Sequence, residues 1–264
     1  MGAGGLAALL LAAAGCGARP APPAVTGAEV EAARQSIALA PPPAAQPRSA
    51  EEDRAMLAAV AERVAAAAEP VCAAYLNRGC GFVVRLDSSD SARGSAHGTR
   101  DVTLTAGMVR LVEREDELAA VVAHEFGHHL AGHLGRQRTR GAVAGTVAAT
   151  ALGAVVPFGG LAGWALGQGA AQLGAGAARL VYSKGEEREA DYLGAYLVAR
   201  AGYDLERAGS LWARLSRPDA AARSSGLAGL LATHPAEAER LAAWRRAAEE
   251  IRDSPDLMPR RQAG

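Results

Sequence analysis

The sequence predicts an α+β fold, mostly helical, with a small sheet beside one central helix. Three observations carry this expectation. Long alanine-rich stretches repeat apolar residues at helical spacing. Only two short clusters of β-branched residues, at 81–86 and 101–105, read as strands. Between these and the later helices, residues 121–133 read VVAHEFGHHLAGH, which places His124, Glu125 and His128 where one face of a helix brings them together. Aromatic residues make up only 4% of the chain, a texture that suits helices packed closely through alanine and glycine.

A chain of 264 residues, half of them apolar, buries one substantial core. Its 28 basic residues balance 28 acidic ones, so nothing electrostatic favours an anionic partner, and no nucleic acid is expected.

Taken in order, residues 1–16 form an uncharged alanine- and leucine-rich run ending Ala13-Ala14-Gly15-Cys16. It is too short to span a bilayer and has small residues before a cysteine, so it reads as a lipoprotein-type signal peptide with Cys16 as the lipidated residue. No lysine or arginine precedes the run, and Ala13 stands where such signals more often carry leucine. The alternative is an ordinary cleaved signal with an incidental cysteine. Residues 17–48, with Pro41-Pro42-Pro43 at their centre, read as a Pro/Ala-rich tether holding a short helix over 28–39. Signal and tether together place the chain in the bacterial cell envelope, in the periplasm, lipid-anchored to a membrane, the outer more than the inner.

The folded domain is expected over 49–252, followed by a tail at 253–264. A capping signal at Ser49 starts a helix over 51–69, ended by Pro70, and a shorter helix over 71–76 follows. Cys72 and Cys80, across a turn in an exported chain, read as a disulfide. The two strands are joined by a polar loop at 87–100 that carries His97 as a surface residue. Gly107 ends the second strand before a helix over 108–112. In such a layout the strand at 101–105 offers its edge to an extended peptide by main-chain pairing.

The central helix begins with acidic Asp116 and Glu117 and carries Leu118, Val121, Val122 and Phe126 as its apolar stripe. Two imidazoles four residues apart converge on one metal ion. Zinc held by two imidazoles and a carboxylate keeps a position for water, and an adjacent glutamate, Glu125, takes the proton of that water. His129 and His133 are left as outer or surface residues. After the helix, residues 141–178 contain no charge. They read as an apolar helical hairpin that covers the cleft, contacts a membrane surface, or spans it. The third ligand is sought in 182–191, YSKGEEREAD. Glu187 and Asp191 share a helical face there, and Asp191 is spaced to orient a metal histidine. Spacing alone leaves Glu186, Glu187 and Glu189 tied, and all three also suit a solvated helix start.

The three segments DELAAVVAHEFGHHLAGH, YSKGEEREADYLGAYLVARAGYD and ATHPAEAERLAAW together resemble the HtpX-like, CAAX-prenyl-protease-like gluzincin metallopeptidases (family 48 of the metallopeptidases), and within them the BepA-like periplasmic lipoprotein branch. The resemblance covers about residues 51–245. It implies a zincin-type metalloprotease domain with a small sheet beside the H-E-x-x-H helix. The family's second motif, Ser-Arg-x-x-Glu-x-x-Ala-Asp, is matched at Ser183, Glu187, Ala190 and Asp191, with Lys184 in place of arginine, and it selects Glu187 as third ligand. The His-Pro segment at His234, followed by Arg240, implies that His234 lies near the metal, steadying an oxyanion or capping the ion, with Arg240 supporting the site. Ser95-Ala96 or Arg93-Gly94 stands where the family often has Asn-Ala, and no room remains for the tetratricopeptide repeats some members carry.

The implied function is a zinc-dependent endopeptidase, one Zn2+ per chain held by His124, His128 and Glu187, with Glu125 as base and His234 as oxyanion partner. Its substrates would be misfolded or unassembled envelope proteins. Two rivals are an envelope chaperone or scaffold whose zinc site binds clients with little cleavage, and an intramembrane prenyl-protein protease, for which one possible span is too few.

Overall fold

A computed structural model describes residues 19–155, 182–220, 231, 234 and 236–262, excepting the side chains of 145 and 147–155. Helix α1, Gly27–Leu39, is followed by α2, Ala50–Leu76. Strands β1, Val83–Asp87, β2, Gly94–His97, and β3, Asp101–Thr105, lead into α3, Ala106–Leu111. Then come α4, Glu115–Leu130, α5, His133–Val155, α6, Lys184–Arg200, α7, Leu205–Leu215, and α8, Ala238–Arg252.

Helix α2 starts on a capping box in which the Ser49 hydroxyl and the Glu52 carboxylate each accept the other residue's backbone N–H. It does not stop at Pro70 as the sequence suggests. Ala68, Val71 and Cys72 on either side are buried, and this packing holds the helix together through the missing hydrogen bond. The helix closes at Asn77 in the left-handed region, φ 53°. Cys72 and Cys80 are disulfide-bonded with Cα atoms 5.6 Å apart, and the Glu69 carboxylate accepts the N–H groups of Cys80 and Gly81.

The sheet has three strands in the order β1-β3-β2, with β1 parallel and β2 antiparallel to β3. The expected polar loop therefore hides a strand. GSAH lacks the β-branched pattern, and its pairing is decided by β3. This corrects the expected substrate edge: β3 is paired on both sides, so 101–105 offers none, and the edge strands are β1 and β2, of which β2 lies against α4 beside Glu125. Gly107 lies inside α3, and it is glycine because a Cβ there would stand 2.1 Å from the Asp90 carbonyl oxygen.

Helix α4 is the centre of the core, packed most extensively against α6 and also against α2 and α7. Leu118, Val122 and Phe126 are fully buried, each contributing ~1.5–3 kcal/mol. Gly127 lets α6 approach so closely that a Cβ would lie 2.4 Å from the Ala190 carbonyl oxygen. Its N-terminal carboxylate Glu117 is fully buried, ion-paired with Arg214 of α7 and accepting the Ser210 hydroxyl at 2.7 Å.

Residues 19–48, expected as a tether, lie against the domain instead. Thr26 and Glu29 cap α1, whose Ala33 and Ile37 are buried, and α1 packs on α8. The Arg19 carbonyl accepts Gln262 N–H at 2.9 Å, and Ala21 N–H bonds Arg260 O at 2.9 Å. The C-terminal residues 253–262 are likewise held rather than free: the Tyr75 hydroxyl donates to Arg260 O, and Arg260 N–H to the Tyr192 hydroxyl. Alanine and proline side chains too small to announce a core here still pack on a helix face already buried by others. The signal 1–16 with Cys16, and the second part of the apolar stretch 141–178, lie outside the described residues. The first part of that stretch continues α5 without a break to Val155. Among the described residues no helix is long and apolar enough to cross a membrane.

Candidate metal centre

Helix α4 delivers His124 and His128 to one point because four residues make just over one helical turn. Their Nε2 atoms stand 3.1 Å apart. Helix α6 brings Glu187, whose carboxylate oxygens lie 3.5 Å from His124 Nε2 and 3.6 Å from His128 Nε2. His234 completes the group, with Nδ1 3.2 Å from His124 Nε2 and 3.0 Å from Glu187 Oε1. One donor atom from each of the four lies within 4.8 Å of the others, and all four residues are buried. Glu125 sits beside them, 1% exposed, and its Oε2 makes no hydrogen bond among the described residues. Imidazole nitrogens turned toward one another around a carboxylate are costly in a dry interior unless a cation or a proton joins them. The donor set therefore fits a divalent cation that accepts nitrogen and oxygen.

The three glutamates that spacing left tied do three different things. Glu186 closes a capping box with Ser183 and pairs with Arg140 at 2.8 Å. Burial acts to raise its pKa, but the bonds from Arg140 and Ser183 hold the carboxyl down at about 2. Glu189 accepts from His133 at 3.0 Å and from Arg136 at 2.8 Å. Of the three, Glu187 is the one that faces His124, His128 and His234.

Asp191, one turn beyond Glu187, accepts a hydrogen bond from His124 Nδ1 at 2.8 Å. Arg240 grips it with Nε at 2.7 Å and Nη2 at 2.8 Å, and reaches Glu187 Oε2 with Nη1 at 2.7 Å. Burial opposes ionisation of both carboxylates, yet the Arg240 charge together with the neighbouring histidines and hydrogen bonds outweighs it and lowers both pKa values. His128 is held well below its ordinary pKa, first by burial and then by the neighbouring His124 and His234. Burial also disfavours charge on His234, but Glu125 and Glu187 prevail and raise its pKa.

Sequence reasoning missed two neighbours. Tyr182, directly before the Ser183 cap, stacks on His128 with ring centroids 3.7 Å apart. Trp212 of α7 lies edge-on to His124, centroids 5.6 Å apart, and under the Arg240 guanidinium. Neither carries a metal-ligand spacing that would announce it. His129 turns away from the cluster, with Nε2 bonded to Asp101 O at 3.0 Å, and His97 is exposed on β2. Thr233 and Pro235 lie outside the described residues.

Comparison with known proteins agrees with this geometry. The family model for Peptidase family M48 matches residues 56–248. The chain is 27% identical over 183 residues to the beta-barrel assembly-enhancing protease of Yersinia pestis, covering 66% of this chain and 36% of that protein. It is 27% identical over 180 residues to the mitochondrial metalloendopeptidase OMA1 of Schizosaccharomyces pombe, covering 63% of this chain and 50% of that one. The matches thus span half or less of these relatives' lengths.

Proposed function

The chain belongs to peptidase family M48, and from that premise we propose that it is a zinc-dependent endopeptidase of the bacterial cell envelope. The observation that carries the reading is the buried His124, His128, Glu187 and His234 cluster beside the buried Glu125 carboxylate, whose Oε2 makes no hydrogen bond among the described residues. His124, His128 and Glu187 would hold the zinc. When bound, zinc supplies a Lewis acid that lowers the pKa of water and polarises a peptide carbonyl.

The chain's own residues do the rest. Glu125 takes the proton from the attacking water and passes it to the leaving amine. His234, whose pKa Glu125 and Glu187 raise against the effect of burial, would donate to the oxyanion that develops on the carbonyl. In the arrangement seen, its Nδ1 lies among His124 and Glu187, where the neutral ring would cap the site as a fourth donor. Substrate access then requires His234 to withdraw. Asp191 and Arg240 hold His124 with Nε2 toward the metal. The β2 edge is the backbone on which an extended substrate pairs. Met108, Val121, Trp212 and Leu215 line the pocket next to Glu125 and favour an apolar side chain there.

Export is supported by the apolar leader ending at Cys16 and by the Cys72–Cys80 disulfide. With Arg19 already bonded to the domain, a lipid on Cys16 would keep the protease close to the membrane rather than on a long tether. Unassembled envelope proteins are the substrates this placement suggests, and the Yersinia relative's name agrees with it. The test is digestion of an unfolded reporter protein. Wild type cleaves, and both chelation and Glu125→Gln abolish cleavage. Client capture without cleavage by wild type would instead make the chain a scaffold.

A further inference from the structure

The two metal-facing histidines of α4 are each backed by a chain of hydrogen bonds that starts in the interior, and the one behind His128 runs outward to partly exposed Glu189 and Arg136. His124 leans on Asp191 and Arg240. His128 leans on His133: the two Nδ1 atoms lie 2.7 Å apart, and His133 is fully buried. His133 Nε2 meets Glu189 Oε2 at 3.0 Å, and that same oxygen accepts Arg136 at 2.8 Å. Arg136 also donates to Ala131 O at 2.9 Å, fastening the start of α5 to the end of α4.

The polarity of this chain is forced by its end. A carboxylate only accepts, so His133 carries its proton on Nε2 and leaves Nδ1 as a lone pair. His128 must then donate from Nδ1, and its Nε2 is left as the lone pair that faces His124 and Glu187. The local fold makes the contact. Gly132, at φ 71°, ends α4 in a left-handed turn, and the chain restarts as α5 with His133 folded back beside His128.

The geometry points to His133 as a positioning residue that fixes the tautomer and ring orientation of His128, with Glu189 and Arg136 fixing His133 in turn. The inference rests on the metal centre proposed above and deepens it. The site has two anchoring arms, one carboxylate-based and one histidine-based, and the carboxylates of both arms, Asp191 and Glu189, come from α6. A metal-site partner lost in this way ordinarily costs 10–100-fold in metal affinity.

The test measures zinc affinity by chelator competition on the full chain, beside the melting temperature of the metal-free protein. His133→Phe fills the site and removes the acceptor, and should lower zinc affinity about 10–100-fold while the metal-free melting temperature stays near wild type. His133→Gln keeps an acceptor oxygen and should restore most of the loss. Glu189→Gln, which weakens only the last link, should give a smaller drop, and it decides the question if His133→Phe does not fold. Wild-type zinc affinity in folded His133→Phe, or in Glu189→Gln where that variant decides, overturns the inference. Failure of the parent reading looks different: wild type itself would bind no zinc.

Discussion

Gly94 on the edge strand faces the Glu125 carboxylate so closely that a Cβ at position 94 would stand 2.8 Å from Glu125 Oε1, with Leu104 Cδ2 only 3.1 Å away on the other side. A methyl group there meets the proposed base first and the Leu104 side chain next, so Glu125 must shift to admit it. Gly94→Ala should therefore lower kcat at least tenfold with zinc content unchanged, since a displacement of about 1 Å at a reacting group costs up to ~100-fold. Steady-state kinetics with metal analysis check this, and wild-type kcat would show that the edge strand does not constrain Glu125.

Arg240 is buried between two carboxylates. Replacing it with methionine removes the guanidinium from both Asp191 and Glu187 in the interior, leaving them only histidine partners, and should cost about 3–5 kcal/mol. Urea unfolding of the metal-free protein isolates this loss from any effect of bound ion.

The acid response of α6 follows from Glu186. Its folded carboxyl lies at about 2, below the ordinary 4.5, so its stabilising contribution is present above pH 4.5 and fades as the pH falls toward 2. Glu186→Gln should be less stable than wild type by roughly 1–2 kcal/mol at pH 7, allowing for solvent screening of a partly exposed pair. The gap should close near pH 2. Denaturant melts across that range read it directly.

Removing the Cys72–Cys80 bond by a double serine substitution frees a short loop and should destabilise the chain by about 2–3 kcal/mol. The same shift should appear when wild type is unfolded in reductant, and the variant should be insensitive to reductant.

The metal helix was legible because the four-residue spacing of His124 and His128 is itself the geometry. The helix at 184–200 was legible because acidic residues crowd its first turn and Glu187 and Asp191 stand four apart. Glu187 was not separable from Glu186 and Glu189 by spacing, since which of three adjacent carboxylates faces inward depends on where α6 meets α4, a contact set by Gly127 and Ala190. Strand β2 escaped notice because Gly94, Ser95, Ala96 and His97 have little intrinsic strand preference and pair only because β3 lies beside them. The docked arm escaped for a related reason: α1 buries Ala33 and Ile37 on a surface made by α8, about two hundred residues later in the chain.

The central claim is that His124, His128 and Glu187 hold the metal while Glu125 stays free to move a proton. Anomalous diffraction at the zinc edge from crystals grown with zinc tests it most directly. The expected result is one zinc per chain, bonded to both α4 histidines and to a Glu187 oxygen, with Glu125 outside the coordination sphere. A zinc bound by Glu125, or one that leaves Glu187 unligated, would contradict it.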